Sequence, residues 1–418
     1  MRSSRLTVAL AVLLALAGAL SAEMSWNRAT DSAAWYPRYS LAATAFDGKL
    51  WVLGGGEYPR TFHDVWYSED GVDWTRATAA AAWSSRYYHA AVVFDGRMWV
   101  IGGRDTSSVF MNDIWSSSDG DSWVLVTDSA PWPARRGHAA LVLDTTLWIV
   151  GGGSSELYND AWYSFNGADW EEATDSAPWP GRSSFASAVF DGKLWVMGGY
   201  DGSHYRNDVW WSDDGAEWTE ATDSAPWSAR AGHSAVAFDG KLWVLGGYPH
   251  VDDVWYTEDG EDWTRATDSA GWSGRYGHAS VVLDSTVWLL GGCDSRCRRD
   301  VWYWESPLTV RHLVGRLATA EPSVPMRLVS FLGNMPTVFR SGLSLTYDLA
   351  RPAAAKVTVC GSTGDEVSVL ASGTRGAGRH VVTWNGRSES GRELPAGVYF
   401  VVAEADRDRA VLKVAKLP

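Results

Sequence analysis

The sequence predicts an all-β protein: a six-bladed β-propeller closed by an N-terminal strand, followed by a small β-sandwich. Three observations predict it. One pattern recurs six times between Trp26 and Trp304. Each copy divides into four short strand-like runs. The array opens with a surplus fourth strand and ends one strand short, so that the two ends complete each other.

The pattern reads W-T-R-A-T-D-S-A-P-W-x-x-R-x-G-H-A-x-V-x-x-D-G-K-L-W-V-L-G-G, then a loop, then N-D-V-W-Y-S-x-D-G-x-D-W. Its opening tryptophans are Trp26, Trp74, Trp123, Trp170, Trp218 and Trp263, and 24 of the 27 tryptophans occupy four fixed positions in the six copies. Only Trp211, Trp304 and Trp384 fall outside them. So regular a placement is a scaffold feature, and four antiparallel strands in about 40 to 50 residues make one propeller blade. In the second copy the strands read as His89 to Phe94, Met98 to Ile101, Asp113 to Ser116 and a run opening at Trp123. Asp-Gly pairs separate the first two strands (Asp95-Gly96) and the last two (Asp119-Gly120), and Asp-Gly between apolar runs signals a hairpin in which both central residues take positive φ. The innermost strands, rich in Ala and Ser, suit a crowded axis. The indoles of the outer strands fill the space between sheets.

The ends of the array fit a closed ring. Trp26 begins a fourth strand with no blade before it, and the sixth copy stops after Val301 to Trp304. Pairing them hides two edges that would otherwise template aggregation.

Before the array, Arg2 and Arg5 precede an apolar run from Leu6 to about Leu20, with Ser21 and Ala22 following; residues 1–22 read as a secretory signal peptide. The run is shorter than a spanning helix needs. The propeller is expected over 23–306. Residues 307–325 hold Pro307, Pro322 and Pro325 without periodicity and read as linker. In residues 326–418 alternating apolar positions give about seven strands and a small sandwich.

Charge is uneven. Residues 23–310 carry 20 basic against 41 acidic groups, and 311–418 carry 14 against 9. A propeller of that sign repels phosphates, so no nucleic acid partner is expected. Of the three cysteines, Cys293 and Cys297 lie close enough in one loop for a small disulfide. The alternatives are a pair of inert thiols or half a metal site, and the metal is disfavoured because no second Cys or His pair stands at ligand spacing. No metal or cofactor is expected.

The R-x-G-H, D-G-K-L-W-V-L-G-G and N-D-V-W-Y elements resemble the Kelch motif over about residues 26 to 306. The resemblance implies a Kelch propeller, a fold used for sugar oxidation, sialic acid mutarotation and protein binding, and it implies no single activity. Ser68 to Trp74, S-E-D-G-V-D-W, resembles the Asp-box of sialidases with one residue fewer between Asp and Gly. From about Met326, L-S-L-T-Y-D-L, K-V-T-V, T-W-N-G-R-S-E-S-G, P-A-G-V-Y-F and V-L-K-V-A-K-L-P are similar to Ig-like C-terminal modules of bacterial secreted proteins, the FlgD-type and type IX sorting domains. That similarity implies an Ig-like sandwich serving secretion or surface attachment. Cys360-Gly361 stands where the family has Tyr-Asp, and M-P-T-V-F where it has N-P-F.

Tight turns should occupy one face, and the loops between second and third strands, with the blade connections, the other. Function favours the variable face. Candidate ligand-binding residues there are Tyr58, Arg60, Arg104, Tyr200, His204, Tyr205 and Tyr248 from the loops, and Tyr87, Tyr88, Arg136 and Tyr276 from the connections. Aromatic rings with polar edges suit stacking on sugars or gripping a protein. Arg38, Arg86, Arg135, Arg182, Arg230 and Arg275 recur in every copy and read as blade clamps. His89, His138, His233 and His278 share a position with Leu41 and Phe185, so they read as structural. Acidic groups such as Asp213-Asp214 and Glu258 to Asp262 read as surface charge.

No catalytic residues are assigned, and no G-x-S-x-G, H-E-x-x-H or P-loop occurs. The expectation is an exported recognition protein, secreted or held at a bacterial cell surface. Its loop-rich face would bind a glycan or an extracellular protein, and its sandwich would meet the secretion machinery or anchor the chain, with no transmembrane segment left after signal removal. The alternatives are a secreted carbohydrate-active enzyme of the sugar oxidase, sialidase or mutarotase type, with its site at the channel mouth, and a structural envelope component.

Overall fold

A computed structural model describes residues 24–305, 329–331, 338–339, 342–349, 351–361, 366–376, 378–405 and 408–416. The expected signal peptide (1–22) and the expected linker (307–325) lie outside the described residues. The described chain is all β, and it falls into two compact units, 1–317 and 318–418.

The first unit contains six four-stranded antiparallel sheets. Blade 1 consists of Ala42–Phe46, Lys49–Glu57, Arg60–Ser68 and Thr75–Thr78, paired in chain order from the axis outward. Blades 2 to 5 repeat it over 90–127, 139–174, 186–222 and 234–267. Blade 6 has Ala279–Leu283, Thr286–Leu290 and Val301–Glu305, and takes its fourth strand from Asn27–Thr30. Each innermost strand touches the next, and Ala279–Leu283 touches Ala42–Phe46, so the ring is closed.

The tryptophans explain why the blades stack. In every blade the indole of the Ala-x-Trp segment is buried and meets the strand-opening indole edge-on: Trp35 with Trp74, Trp83 with Trp123, Trp132 with Trp170, Trp179 with Trp218, and Trp227 with Trp263. The sixth pair joins Trp272 to Trp26 at 6.1 Å between centroids and 88° between planes. The N-terminal strand therefore supplies the same aromatic contact as its counterparts. Edge-to-face pairs add about 0.5–1.5 kcal/mol beyond the area they bury.

The recurrent arginines do hold the blades. Arg38 is fully buried and forks onto Asp64 at 2.7 and 3.0 Å while donating to the carbonyl of Gly54. The same clamp joins Arg86 to Asp113, Arg135 to Asp160, Arg182 to Asp208, Arg230 to Asp253 and Arg275 to Asp300. Each ties the connection entering a blade to that blade's second and third strands. Burial alone would raise the Asp64 carboxyl, but the hydrogen bond and charge of Arg38 outweigh it and hold the group below its ordinary range.

The histidines act between blades. His89 stands against Gly54 of blade 1 and Gly103 of blade 2, and His138 against Gly102 and Gly152. The Gly-Gly pair ending each second strand thus admits one side chain from its own blade and one from the next.

One expectation about the turns needs correction. In the four inner Asp-Gly hairpins both residues have positive φ, as at Asp95 (47°) and Gly96 (67°). In the outer turns only the glycine does, as at Gly71 (73°). Asp70 instead accepts the amides of Val72 and Asp73, while the Ser68 hydroxyl receives the amide of Gly71. This side-chain-capped loop needs no second left-handed residue.

The second unit has a three-stranded sheet, Val329–Phe331, Leu343–Leu349 and Gly378–Trp384, and a five-stranded one ordered Val338–Phe339, Asp408–Lys416, Gly397–Ala405, Ala353–Cys360, Glu366–Arg375. That is eight described strands where the sequence suggested about seven. Leu345, Val357, Trp384, Tyr399 and Val401 form the core between them.

Candidate functional site at the axial mouth

A ring of backbone hydrogen bonds builds the loop-rich face around the axis. The second residue after each clamp arginine donates to its counterpart in the preceding blade: Tyr88 N to Ser40 O, Gly137 to Tyr88, Ser184 to Gly137, Gly232 to Ser184, Gly277 to Gly232, and Ser40 to Gly277, at 2.6 to 3.0 Å. All six have positive φ, from 47° at Ser40 to 63° at Gly232 and Gly277. Glycine takes this conformation freely, and a tyrosine at Tyr88 takes it only under such constraint. The ring draws the six connections together, so the side chains beside it crowd one small mouth.

The residue just before each ring position pairs with the end of a second strand, as Tyr39 does with Gly56, Tyr87 with Arg104, Arg136 with Gly153 and Tyr276 with Cys293. There the sixfold pattern ends, because these positions read Tyr39, Tyr87, Arg136, Ser183, Ala231 and Tyr276. The tyrosines lie on one side and join into a belt. Tyr39 contacts Tyr87, Tyr88 and Tyr276 at 5.7 to 5.9 Å. Tyr276 meets Tyr248 and His250, Tyr248 meets Tyr205, and Tyr205 meets Tyr200.

Two arginines flank the Tyr87–Tyr88 pair. Arg104 donates to the Tyr87 hydroxyl and Arg136 lies 5.0 Å from the Tyr88 ring centroid. Neither forms an ion pair among the described residues. Burial, followed by the neighbouring phenols Tyr88, Tyr87 and Tyr276, pushes the Tyr39 hydroxyl above its ordinary range. Burial raises Tyr88, Tyr205 and Tyr276 in the same direction. Tyr39, Tyr88, Tyr205 and Tyr276 therefore present neutral hydroxyls at physiological pH.

Of the residues singled out from sequence, Tyr87, Tyr88, Arg104, Arg136, Tyr200, Tyr205, Tyr248 and Tyr276 come together here. Tyr58, 86 % exposed, and His204 stand on exposed loop positions, and Arg60 at the exposed start of a third strand, all outside the belt. Tyr39, which is not among the candidates named from the sequence, is its hub. Its counterparts across the copies vary while the preceding arginine does not, and that contrast was the available signal. Cys293 and Cys297 are joined in a disulfide beside Tyr276, so neither thiol is free to crosslink to a tyrosine as a copper radical site requires.

A nucleophile-like pair occurs deeper along the axis. The Ser234 hydroxyl lies 2.9 Å from His278 Nε2 and 2.6 Å from the Ser280 hydroxyl. Burial, then Arg275, pushes His278 down to about 3, too weak a base to activate a serine. Among the described residues no group of three His, Cys, Asp or Glu is arranged to hold a metal ion.

The family model of the Attractin/LZTR1 β-propeller matches residues 50–302, and that of the FlgD Ig-like domain matches residues 336–409. No curated protein matches the chain.

Proposed function

We propose that this chain, which belongs to the Attractin/LZTR1 β-propeller family, is an exported, noncatalytic recognition protein that grips a glycan or an extracellular protein at the axial mouth. A propeller joined to an Ig-like domain already indicates a binding role. The observation that carries the finer reading is the belt from Tyr87 through Tyr39 and Tyr276 to Tyr205. On a scaffold whose clamps and tryptophan pairs repeat blade by blade, it is a run of side chains that does not repeat. Rigid rings with polar edges supply contact area at small entropic cost. The sandwich acts as a secretion or attachment module, a role supported by its match to the FlgD Ig-like domain.

The test is a binding screen of the full chain on glycan and extracellular-protein arrays, repeated with Tyr39→Ala, Tyr276→Ala and, on the opposite face, Tyr163→Ala. Loss of a ligand with the first two and not the third supports the mouth. A ligand that survives both mouth substitutions sinks the assignment.

A further inference from the structure

We infer that the axial mouth recognises an acidic oligosaccharide, with uronate carboxylates meeting Arg136 and Arg104 and sugar rings lying against the Tyr39, Tyr87 and Tyr88 cluster. This rests on the binding reading above and names its ligand class.

The argument begins with charge. In a segment carrying 20 basic and 41 acidic residues, eight arginines pair with a carboxylate among the described residues, and Arg104 and Arg136 do not. Six arginines are consumed in the blade clamps. Three acids of this face are already engaged: Asp201 by Arg206, Asp294 by Arg298, and Asp105 by the amides of Ser107 and Val109. Arg136 is left with a buried Nε that has no hydrogen-bond partner, and with its guanidinium over Tyr88. Arg104 spends its donors on the Tyr87 hydroxyl alone. A guanidinium stacked on a ring still presents N–H edges, and a carboxylate matches them in two-point geometry.

The same stacking decides against a cationic ligand. Arg104 and Arg136 already occupy the cation-binding faces of Tyr87 and Tyr88. The ring positions of the mouth are Tyr, Arg, Ser, Gly and Ala, with no branched aliphatic side chain to anchor a protein segment. Neutral phenols offer donors, acceptors and a flat face, which is what a pyranose ring needs. Because the two arginines bracket one pair of contacting rings, an oligomer with an acid on each sugar meets both.

The experiment is calorimetric titration of the full chain with oligomers of galacturonate, glucuronate and mannuronate, each against its neutral counterpart of galactose, glucose or mannose. At least one uronate series should bind ten-fold or more tightly than its neutral partner, and that preference should weaken as salt rises. Arg136→Gln should remove the preference, and Arg136→Lys should restore part of it. Since Arg136 belongs to no clamp, the melting temperature of Arg136→Gln should match the parent. Equal affinity for charged and neutral oligomers, no binding of any uronate, or an Arg136→Gln that binds unchanged each overturns the inference. Arg136-dependent binding of polyglutamate in place of uronates would make the ligand an acidic protein segment and also overturn it. A neutral glycan lost on Tyr39→Ala but kept by Arg136→Gln would leave the recognition role standing and remove the acidic ligand alone.

Discussion

Gly120, in the outer turn of blade 2, lies against the indole of Trp51 in blade 1, where an added Cβ would stand 2.1 Å from Cζ3. The relation recurs around the ring, with Gly71 against Trp288, Gly167 against Trp99, Gly215 against Trp148 and Gly260 against Trp195. These turns are glycine for two reasons, a positive φ and a neighbour's ring. Gly120→Ala should therefore lose about 2–4 kcal/mol, combining left-handed strain with overpacking. Gly48→Ala, at φ 68° with nothing within 4 Å, should lose only the strain of about 1–2 kcal/mol. Guanidinium denaturation of the two variants separates the terms, and equal losses would show that the indole yields.

The Arg38–Asp64 clamp predicts strong non-additivity. Asp64→Asn leaves a fully buried guanidinium without its counter-charge and should cost about 3–5 kcal/mol. Arg38→Met strands the carboxylate and should cost a similar amount. The double variant Arg38→Met/Asp64→Leu removes both charges and should cost clearly less than the two together. A double-mutant cycle from denaturation midpoints checks this, and simple additivity would mean that the pair contributes no coupling.

Much of this architecture is legible in the sequence because each propeller contact is repeated. A residue needed six times, such as the clamp arginine, declares a scaffold role by its recurrence, and the surplus strand at Trp26 declares ring closure. The axial hydrogen-bond ring was not legible. Its members are Ser40, Tyr88, Gly137, Ser184, Gly232 and Gly277, and no side-chain chemistry unites them, because the shared feature is a backbone conformation. The belt was legible as a set of aromatics but not as an order of contacts. Tyr39 became its hub only when the connections of blades 1, 2 and 6 converged. Tyr58 and Arg60 share its composition signal and fall elsewhere, since composition does not say which loop residues the ring pulls inward.

Acid stability should depend on the interblade histidines. Burial first, and the neighbouring clamp arginine second, hold His89, His138 and His278 at about 3. In the unfolded chain a histidine titrates near 6.5. Below about pH 6.5 the unfolded state binds protons that the folded state refuses, so stability present above that pH is lost as the pH falls toward 3. The slope is about 1.4 kcal/mol per pH unit for each histidine. His138→Leu, which copies the leucine found at the same position in blade 1, Leu41, should reduce the slope between pH 6 and 4.5 by about that amount. Denaturation midpoints across the range measure it, and an unchanged slope would show that His138 is not held neutral.

Closure of the ring rests on a short strand. Asn27–Thr30 pairs with Val301–Glu305, and Trp26 sets its ring against Trp272. Without residues 24–30, blade 6 would end on an unpaired third strand, and Trp272 would lose its edge-on partner. An exposed edge of this kind recruits other strands. A chain lacking 24–30 should therefore associate in a concentration-dependent way where the parent chain does not. A peptide spanning 24–31 added in excess should suppress that association by refilling the groove, whereas the same peptide carrying Trp26→Ala should do so poorly. Sedimentation velocity across a concentration series distinguishes the cases. If the truncated chain sediments like the parent, the ring closes through contacts other than this strand, and the innermost strands, which already touch around the whole axis, hold it shut.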